Sequence, residues 1–472
     1  MLIAYIWMSR KIFLPENLDL DKYISQYPPN FHPFHIDNLR YLLYLVKAVP
    51  TQSRSPLVDG WTTLCAQILV KYVRDYQHYL GYALRTEILQ STGAYTPGER
   101  CREYRFTAVY RNSPLKESIV SDPVLLKKLS IISTGDDKMA IAQKEYKYVT
   151  SFFKSGDLGI NKDKVINELN TTYVKSDPRY QHGIITINNI MEQNWRFSIS
   201  ERTRRFYSTI TSLPRKLRQY ITYGGQKLVE IDISNCQPFF ILGLFNKDFW
   251  MSPTSRYDFK FKNVHPLLYK RVRKTDTSIY YKSIIKYINM LAESDGNAYS
   301  KRSCDLEKYQ NLVVSGDLYE YMMDIYLEHC HIKYQVREEV KKMVMWVMYG
   351  NPDDIDIDMD CRNYQINPIA LFKQLFPVVH GLLDLLKKID YRYCSWLLQG
   401  MEGFIMLKII PNRIKKERPD VPIFTVHDSI LTTEPNIEYV RNVISEEIEK
   451  HVGYRPPLKC NNGVIAPVSA LV

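Results

Sequence analysis

The sequence predicts an α+β fold, and three patterns carry that expectation. Leu228–Ser234 and Ile423–Thr433 group or alternate their apolar residues as β-strands do. Residues 62–89, 121–130, 136–154 and 335–349 instead repeat apolar side chains every three or four positions, the period of an amphipathic helix. Each strand-like run also carries an aspartate, Asp232 in the first and Asp428 in the second.

At 472 residues the chain is long enough for two or three domains with substantial cores. Lysine and arginine exceed aspartate and glutamate by 12, a surplus that suits a polyanionic partner. Thirty-six tyrosines offer many rings able to stack on bases, although most of them will be structural. The eight cysteines are scattered without a Cys-x2-Cys pair, which argues against a zinc site and against a disulfide framework, so a reducing intracellular compartment is expected. The opening MLIAYIW lacks a basic n-region and reads as a poor signal peptide. No run approaches the roughly 18 apolar residues of a membrane span.

Residues 1–110 read as a small domain. Leu64, Ile68, Leu69, Val73, Tyr76, Leu80 and Leu84 place a helical pattern over 62–89. Glu87–Gln90 and Glu103–Phe106 then flank a turn-rich, basic connection. A helix followed by a basic hairpin is the outline of a winged helix-turn-helix, with an ordinary helical accessory domain as the alternative. Residues 111–200 are rich in Lys and Glu, with helices expected around 121–130 and 136–154 and breaks at Gly156–Gly159 and Ser176–Pro178. A basic helix is expected at Arg215–Arg218, followed by a turn at Gly224–Gly225. The acidic run 353–360 lacks the glycine and the terminal glutamate of an EF-hand loop and reads as a solvated loop.

In Leu228–Ser234, Val229, Ile231 and Ile233 can face a core while Glu230, Asp232 and Ser234 face the other way. Asp232 therefore projects from the strand end, and the chain turns through Asn235–Pro238 into an apolar helix. In Ile423–Thr433 the polar His427-Asp428-Ser429 interrupts an apolar run, as the tight turn of a hairpin does, so Asp428 can reach across to Asp232. Taken alone, each aspartate is an ordinary cap or turn residue. The helix over 335–349 is sharper. Val340, Met343, Val344 and Val347 form its apolar stripe, whereas Arg337, Lys341, Met345 and Tyr349 advance in fours. Each step of four rotates only about 40°, so these side chains share an arc about 120° wide. Basic heads, a thioether and a phenol on one face, with Gly350 beyond, suit a nucleoside triphosphate. Two acidic side chains suit a pair of divalent cations.

Together these segments resemble motifs A, B and C of the family A DNA polymerases and of their relatives, the single-subunit phage and mitochondrial RNA polymerases, in a compact phage- or mobile-element-like form. Asp232-Ile-Ser-Asn-Cys-Gln237 is similar to motif A, Arg337-x3-Lys341-x3-Met345-x3-Tyr349-Gly350 to motif B, and Val426-His427-Asp428 to motif C. Arg205-Phe-Tyr-Ser208 is similar to the family's Arg-Leu-x-Ser segment, which touches the primer-template minor groove. Gln399-Gly400 stands where the family often has a template-contacting Gln. The resemblance covers residues 200–435. It implies a right-hand fold, with a helical thumb at 111–200, an antiparallel palm at 201–245 and 400–472, and helical fingers at 246–399.

The same resemblance implies that Asp232, Asp428 and the backbone carbonyl of Ile233 bind two Mg²⁺, with Mn²⁺ able to substitute. Arg337 and Lys341 would grip the triphosphate, Lys341 would protonate pyrophosphate, and Tyr349 with Gly350 would close over the nascent base pair. Arg205, Ser208, Gln399 and His427 would lie along the nucleic acid. The partners implied are a DNA primer-template and nucleoside triphosphates, with no membrane.

Three positions bear on the sugar. Gln237 replaces the glutamate usual in the family's DNA polymerases, keeping its bulk without its charge. Met345 and Ser429 match the RNA polymerases. The roughly 110 residues before the expected thumb are too few for a promoter-binding region or a proofreading exonuclease, and no Asp-x-Glu opens such a domain. A DNA polymerase without proofreading is therefore favoured. A single-subunit RNA polymerase or primase-like enzyme is the alternative, and a non-catalytic nucleic-acid-binding replication protein a further one. A reverse transcriptase is disfavoured, because Tyr321-Met-Met-Asp has one acid too few for Tyr-x-Asp-Asp.

Overall fold

The computed structural model describes residues 9–50, 59–92, 101–135, 137–274, 278–331, 333–351 and 368–460, apart from 293–299. The turn-rich 93–100 and the acidic 353–360 lie outside the described residues. The protein is α+β, with antiparallel strand pairing throughout the described part. It falls into two compact units, Met1–Ser198 with Tyr207–Lys227, and Ile199–Phe206 with Leu228–Val472. Of the expected 201–245 segment, residues 207–227 fall in the first unit and residues 201–206 and 228–245 in the second. No helix among the described residues is long and apolar enough to cross a membrane.

In the first unit, strand Arg10–Pro15 pairs with Leu115–Val120, Arg10 opposite Val120. Between them come helix Ile36–Ala48, strand Thr62–Thr63, helices Ala66–Tyr72 and Tyr76–Arg85, and strands Leu89–Ser91 and Glu103–Phe106. The three short strands form one sheet, with Glu103–Phe106 in the middle. The helical pattern expected over 62–89 is thus two helices bracketed by strands. Val73 is extended (φ −129°, ψ 109°) and ends the first helix. The break lets Leu69, Val73, Tyr79 and Leu80 turn into the core while Ile68 is left outside. A single straight helix would have aligned all of them in one stripe. Ile12, Leu39, Leu43, Leu80, Phe106, Leu125, Leu129 and Ile185 belong to one continuous core, which therefore runs past residue 110.

The helices expected around 121–130 and 136–154 appear as Pro123–Gly135, Asp137–Glu145 and Lys147–Ser151, the last running into a 3-10 turn at Phe152–Lys154. The Ser176–Pro178 break is a helix start: Asp177 accepts the Arg179 backbone N–H at 2.7 Å, and Pro178 sits in the first turn, where its missing N–H costs nothing. Gly224 and Gly225 both have positive φ, 55° and 77°, as the tight return of the chain there requires. The basic segment expected as an α-helix is a 3-10 turn, Arg215–Tyr220, started by Pro214.

In the second unit, Leu228–Ile233 lies between two antiparallel neighbours, Ser429–Thr433 and Leu458–Cys460. Phe424–Val426 adds the next strand beyond Ser429–Thr433. Helix Cys236–Leu244 follows the central strand and is buried along its whole length, in keeping with its apolar sequence. It packs closely on helix Arg392–Phe404. A side chain at Gly243 would meet the Met401 methyl at 2.9 Å and could be accommodated only by a shift of that flexible side chain. Helix Arg392–Phe404 continues through a π-helical turn, Ile405–Ile409, into Ile410–Glu417. Pro411, lacking an N–H, comes one residue after the end of that widened turn. Helix Ile437–Val452 buries Val440, Val443, Ile444 and Ile448.

Candidate active site

The site is built in the second unit from one strand end, one hairpin turn and three helices. Asp232 is opposite Ser429 on one side of its strand and Lys459 on the other, so it is held centrally in the sheet. His427 and Asp428 form the two-residue turn between Phe424–Val426 and Ser429–Thr433, His427 with φ 56°. The Ile233 N–H donates to the Asp428 carbonyl at 3.3 Å, which ties the hairpin turn to the end of the strand carrying Asp232. Glu230 takes part as well. The Ser429 hydroxyl is 2.7 Å from Glu230 Oε1 and 2.9 Å from the Val426 carbonyl.

This concentration of acid has an electrostatic consequence. Burial lifts the Asp428 carboxyl above the usual carboxylate range, and Glu230 adds to the rise. A hydrogen bond from its own backbone and the charges of Arg205 and Lys341 oppose it. Burial likewise pushes the Cys236 thiol well up, with the charges of Glu402, Asp428 and Asp232 adding to the rise and that of Arg205 opposing it.

Helix Arg337–Tyr349 supplies the basic side. Val340, Val344, Val347 and Met348 are its buried stripe, and Lys341 is exposed. Met343, expected in the stripe, is only half-buried, and Met348 takes its place. The Arg337 guanidinium donates to Asn235 Oδ1 at 2.8 Å and to Glu320 Oε1 at 2.7 Å, and it lies 4.6 Å from the Tyr319 ring centre. Asn235 itself is left-handed (φ 52°), a conformation asparagine tolerates, and it makes the turn out of the Asp232 strand. Lys341, Met345, Tyr349 and Gly350 line one open hollow of about 530 Å³ with Glu338, Lys342 and Trp346. A Cβ on Gly350 would stand 2.6 Å from the Trp346 carbonyl, so glycine there is required by the helix end itself.

Beneath this hollow runs a chain of buried polar groups. The Tyr349 hydroxyl donates to Gln237 Oε1 at 2.5 Å. Gln237 Nε2 donates to Glu402 Oε2. Arg205 donates to Glu402 twice, Nε to Oε1 at 3.0 Å and Nη2 to Oε2 at 2.7 Å. Burial works against the Arg205 charge, but the Glu402 carboxylate outweighs it and raises the guanidinium pKa. Burial pushes Glu402 up to about 7, with Arg205 pulling down and Asp428 pushing further up. Burial also raises the Tyr349 phenol well above its ordinary value.

The structure thus brings Asp232, Ile233, Gln237, Arg337, Lys341, Met345, Tyr349, Gly350, His427, Asp428 and Arg205 into one unit. Gln399 is on the Arg392–Phe404 helix, one turn before Glu402, and is half-buried. Arg205 is largely inside, bound to Glu402, rather than presented on the surface. Ser208 belongs to the first unit, where it is the buried N-cap of helix Thr209–Ser212. Sequence reasoning missed Glu402, Asn235 and Glu320. The signal for Glu402 was a single carboxylate among Leu397, Leu398, Met401, Phe404 and Ile405, on a face that is otherwise apolar. No family model matches this chain, and no curated protein matches it significantly.

Proposed function

We propose that this chain is a template-directed nucleotidyltransferase of the polymerase type, extending a primer 3′-hydroxyl on DNA with deoxynucleoside triphosphates. The observation that carries the reading is the meeting of the Asp428 turn with the Asp232 strand end, beside a helix that sends Arg337 and Lys341 to the same side. In the reaction the 3′-hydroxyl gives up its proton to solvent, its oxygen forms a bond to the α-phosphorus, the α–β P–O bond breaks, and pyrophosphate departs.

The donor set fits the divalent ions this chemistry uses. Asp232, Asp428 and the Ile233 carbonyl are hard oxygen ligands, and Glu230 adds further negative charge. Among the described residues no group of three or more His, Cys, Asp and Glu side chains is arranged around one point. Mg²⁺ takes one or two carboxylates of this kind and completes its shell with water and substrate phosphates. Two such ions would activate the attacking oxygen and neutralise the leaving one. In this reading Arg337 and Lys341 bind the triphosphate, and Lys341, which is exposed, protonates departing pyrophosphate. Met345, Tyr349 and Gly350 shape the hollow for the incoming base pair. Gln399 and His427 are assigned to the template and primer strands.

The right-hand reading assigns the palm to the sheet around Asp232 and Asp428, the fingers to the helices at 246–399, and the thumb to 111–200. The order helix, strand, helix, helix, strand, strand over 36–106 is that of a winged helix, which supports a duplex-binding role for this module. Met345 and Ser429 favour a second reading, an RNA polymerase or primase-like enzyme. Primer extension on DNA and RNA templates, with dNTPs and rNTPs supplied separately, decides between them. Extension with neither overturns the enzyme and leaves a nucleic-acid-binding protein.

A further inference from the structure

Glu402 is a buried ionisable group at the site that the proposed chemistry leaves without a task. It has no exposed surface, and it accepts from Arg205 on one side and from the Gln237 amide on the other. A carboxylate can only accept hydrogen bonds. The amide of Gln237 must therefore turn its nitrogen toward Glu402 and its oxygen away. That oxygen meets the Tyr349 hydroxyl at 2.5 Å, so the phenol is the donor. A phenol has one proton, and here it is committed to the protein.

We propose that Glu402 is a positioning residue for sugar selection, acting through Gln237 on Tyr349. With the amide locked, the edge formed by Gln237 and Tyr349 offers a 2′-hydroxyl steric bulk and a phenol whose one proton is already committed. A ribonucleotide would lose its own hydration there without gaining the Tyr349 hydroxyl as a donor in return. The deduction deepens the nucleotidyl-transfer reading and rests on it. Gln237 lies five residues after Asp232 and Tyr349 lies on the hollow beside Lys341, which puts this edge next to the expected nucleotide. The ion pair itself is an expensive way to fill a core. A buried pair of this kind is often replaceable by apolar residues without loss of stability. The hydrogen-bond polarity it imposes is something an apolar pair cannot supply.

The test compares kcat/KM for a dNTP and its matching rNTP on one primer-template, together with thermal stability. The proteins are the native chain, Glu402→Gln, and the double variant Glu402→Gln with Gln237→Glu. Native protein is expected to prefer the dNTP. Glu402→Gln lets the amide turn over and frees the phenol proton, so the preference should fall by about 10-fold or more. The double variant exchanges amide and carboxylate. The carboxylate then standing at position 237 again compels Tyr349 to donate, so the preference should return. A merely structural role for Glu402 predicts no such return. If Glu402→Gln strands the Arg205 charge and fails to fold, Arg205→Gln with Glu402→Gln removes both charges together and must show the same loss. An unchanged preference in the single or neutral variants, or no recovery in the double variant, overturns the proposal. Native protein that prefers rNTPs also overturns it while leaving nucleotidyl transfer intact, whereas native protein that incorporates nothing overturns the functional reading itself.

Discussion

The Arg337 guanidinium and the Asn235 side-chain carbonyl are 2.8 Å apart, so the first residue of the basic helix is tied to the turn that ends the Asp232 strand. Asn235 holds that turn with positive φ, and the same side chain presents the acceptor. Asn235→Gly keeps the backbone geometry and removes the hydrogen bond. It should raise the nucleotide KM several-fold with little change in melting temperature. Asn235→Ala adds the cost of a left-handed non-glycine residue, about 1 kcal/mol, and should lower the melting temperature as well. Equal melting temperatures for the two variants would show that the turn carries no strain.

Asp428→Asn should reduce incorporation by orders of magnitude while primer-template binding remains near native. The carboxylate is required where charge develops in the reaction, and groups of that kind typically contribute about 100-fold or more. Single-turnover extension and a gel-shift titration on the same preparation separate the two quantities. Full activity in the variant would remove Asp428 from the chemistry.

Sugar discrimination should depend on pH around neutrality. Glu402 faces Arg205 from the 199–206 segment, Gln237 and Cys236 from the following helix, and Asp428 from the hairpin turn, and its carboxyl titrates at about 7. Below that value it carries a proton that can be donated to Gln237, and the amide is no longer locked. The dNTP preference should therefore decline as pH falls from 8 to 6, roughly one unit either side of the midpoint. In Glu402→Gln the preference should be flat over the same range. Stability carries the opposite sign. The folded chain holds this proton more tightly than the unfolded one, so its contribution is fully present below about pH 4.5 and is lost as pH rises through about 7.

The winged-helix module is best tested by substitution, since the core continues from Phe106 through Leu125, Leu129 and Ile185. Deleting residues 1–110 would strip Leu115–Val120 of its partner strand and expose that core. Lys71, Arg74 and Arg102 are exposed on and around the helix pair and the hairpin. If they contact phosphate, each change to Gln should flatten the slope of log affinity against log salt by about 0.9. Three substitutions with no change in slope would make the module a structural accessory.

What could be read from the sequence alone was local. The alternation in Leu228–Ser234, the polar break at His427-Asp428 and the four-residue steps from Arg337 to Tyr349 each report a backbone period, and a period is written in consecutive residues. Those segments form the expected strand, turn and helix. The two-helix break at Val73 escaped detection because the apolar spacing runs straight through it, and only the core decides which residues turn inward. Glu402 escaped for the same reason at longer range. Its partners are 165 and 197 residues away, and a lone carboxylate in an apolar helix says nothing of what will meet it. The direction of the Gln237 amide, and with it the role of the Tyr349 proton, is likewise a property of the packed structure. Hydrogen-bond polarity belongs to a network, and tertiary contact alone assembles its members.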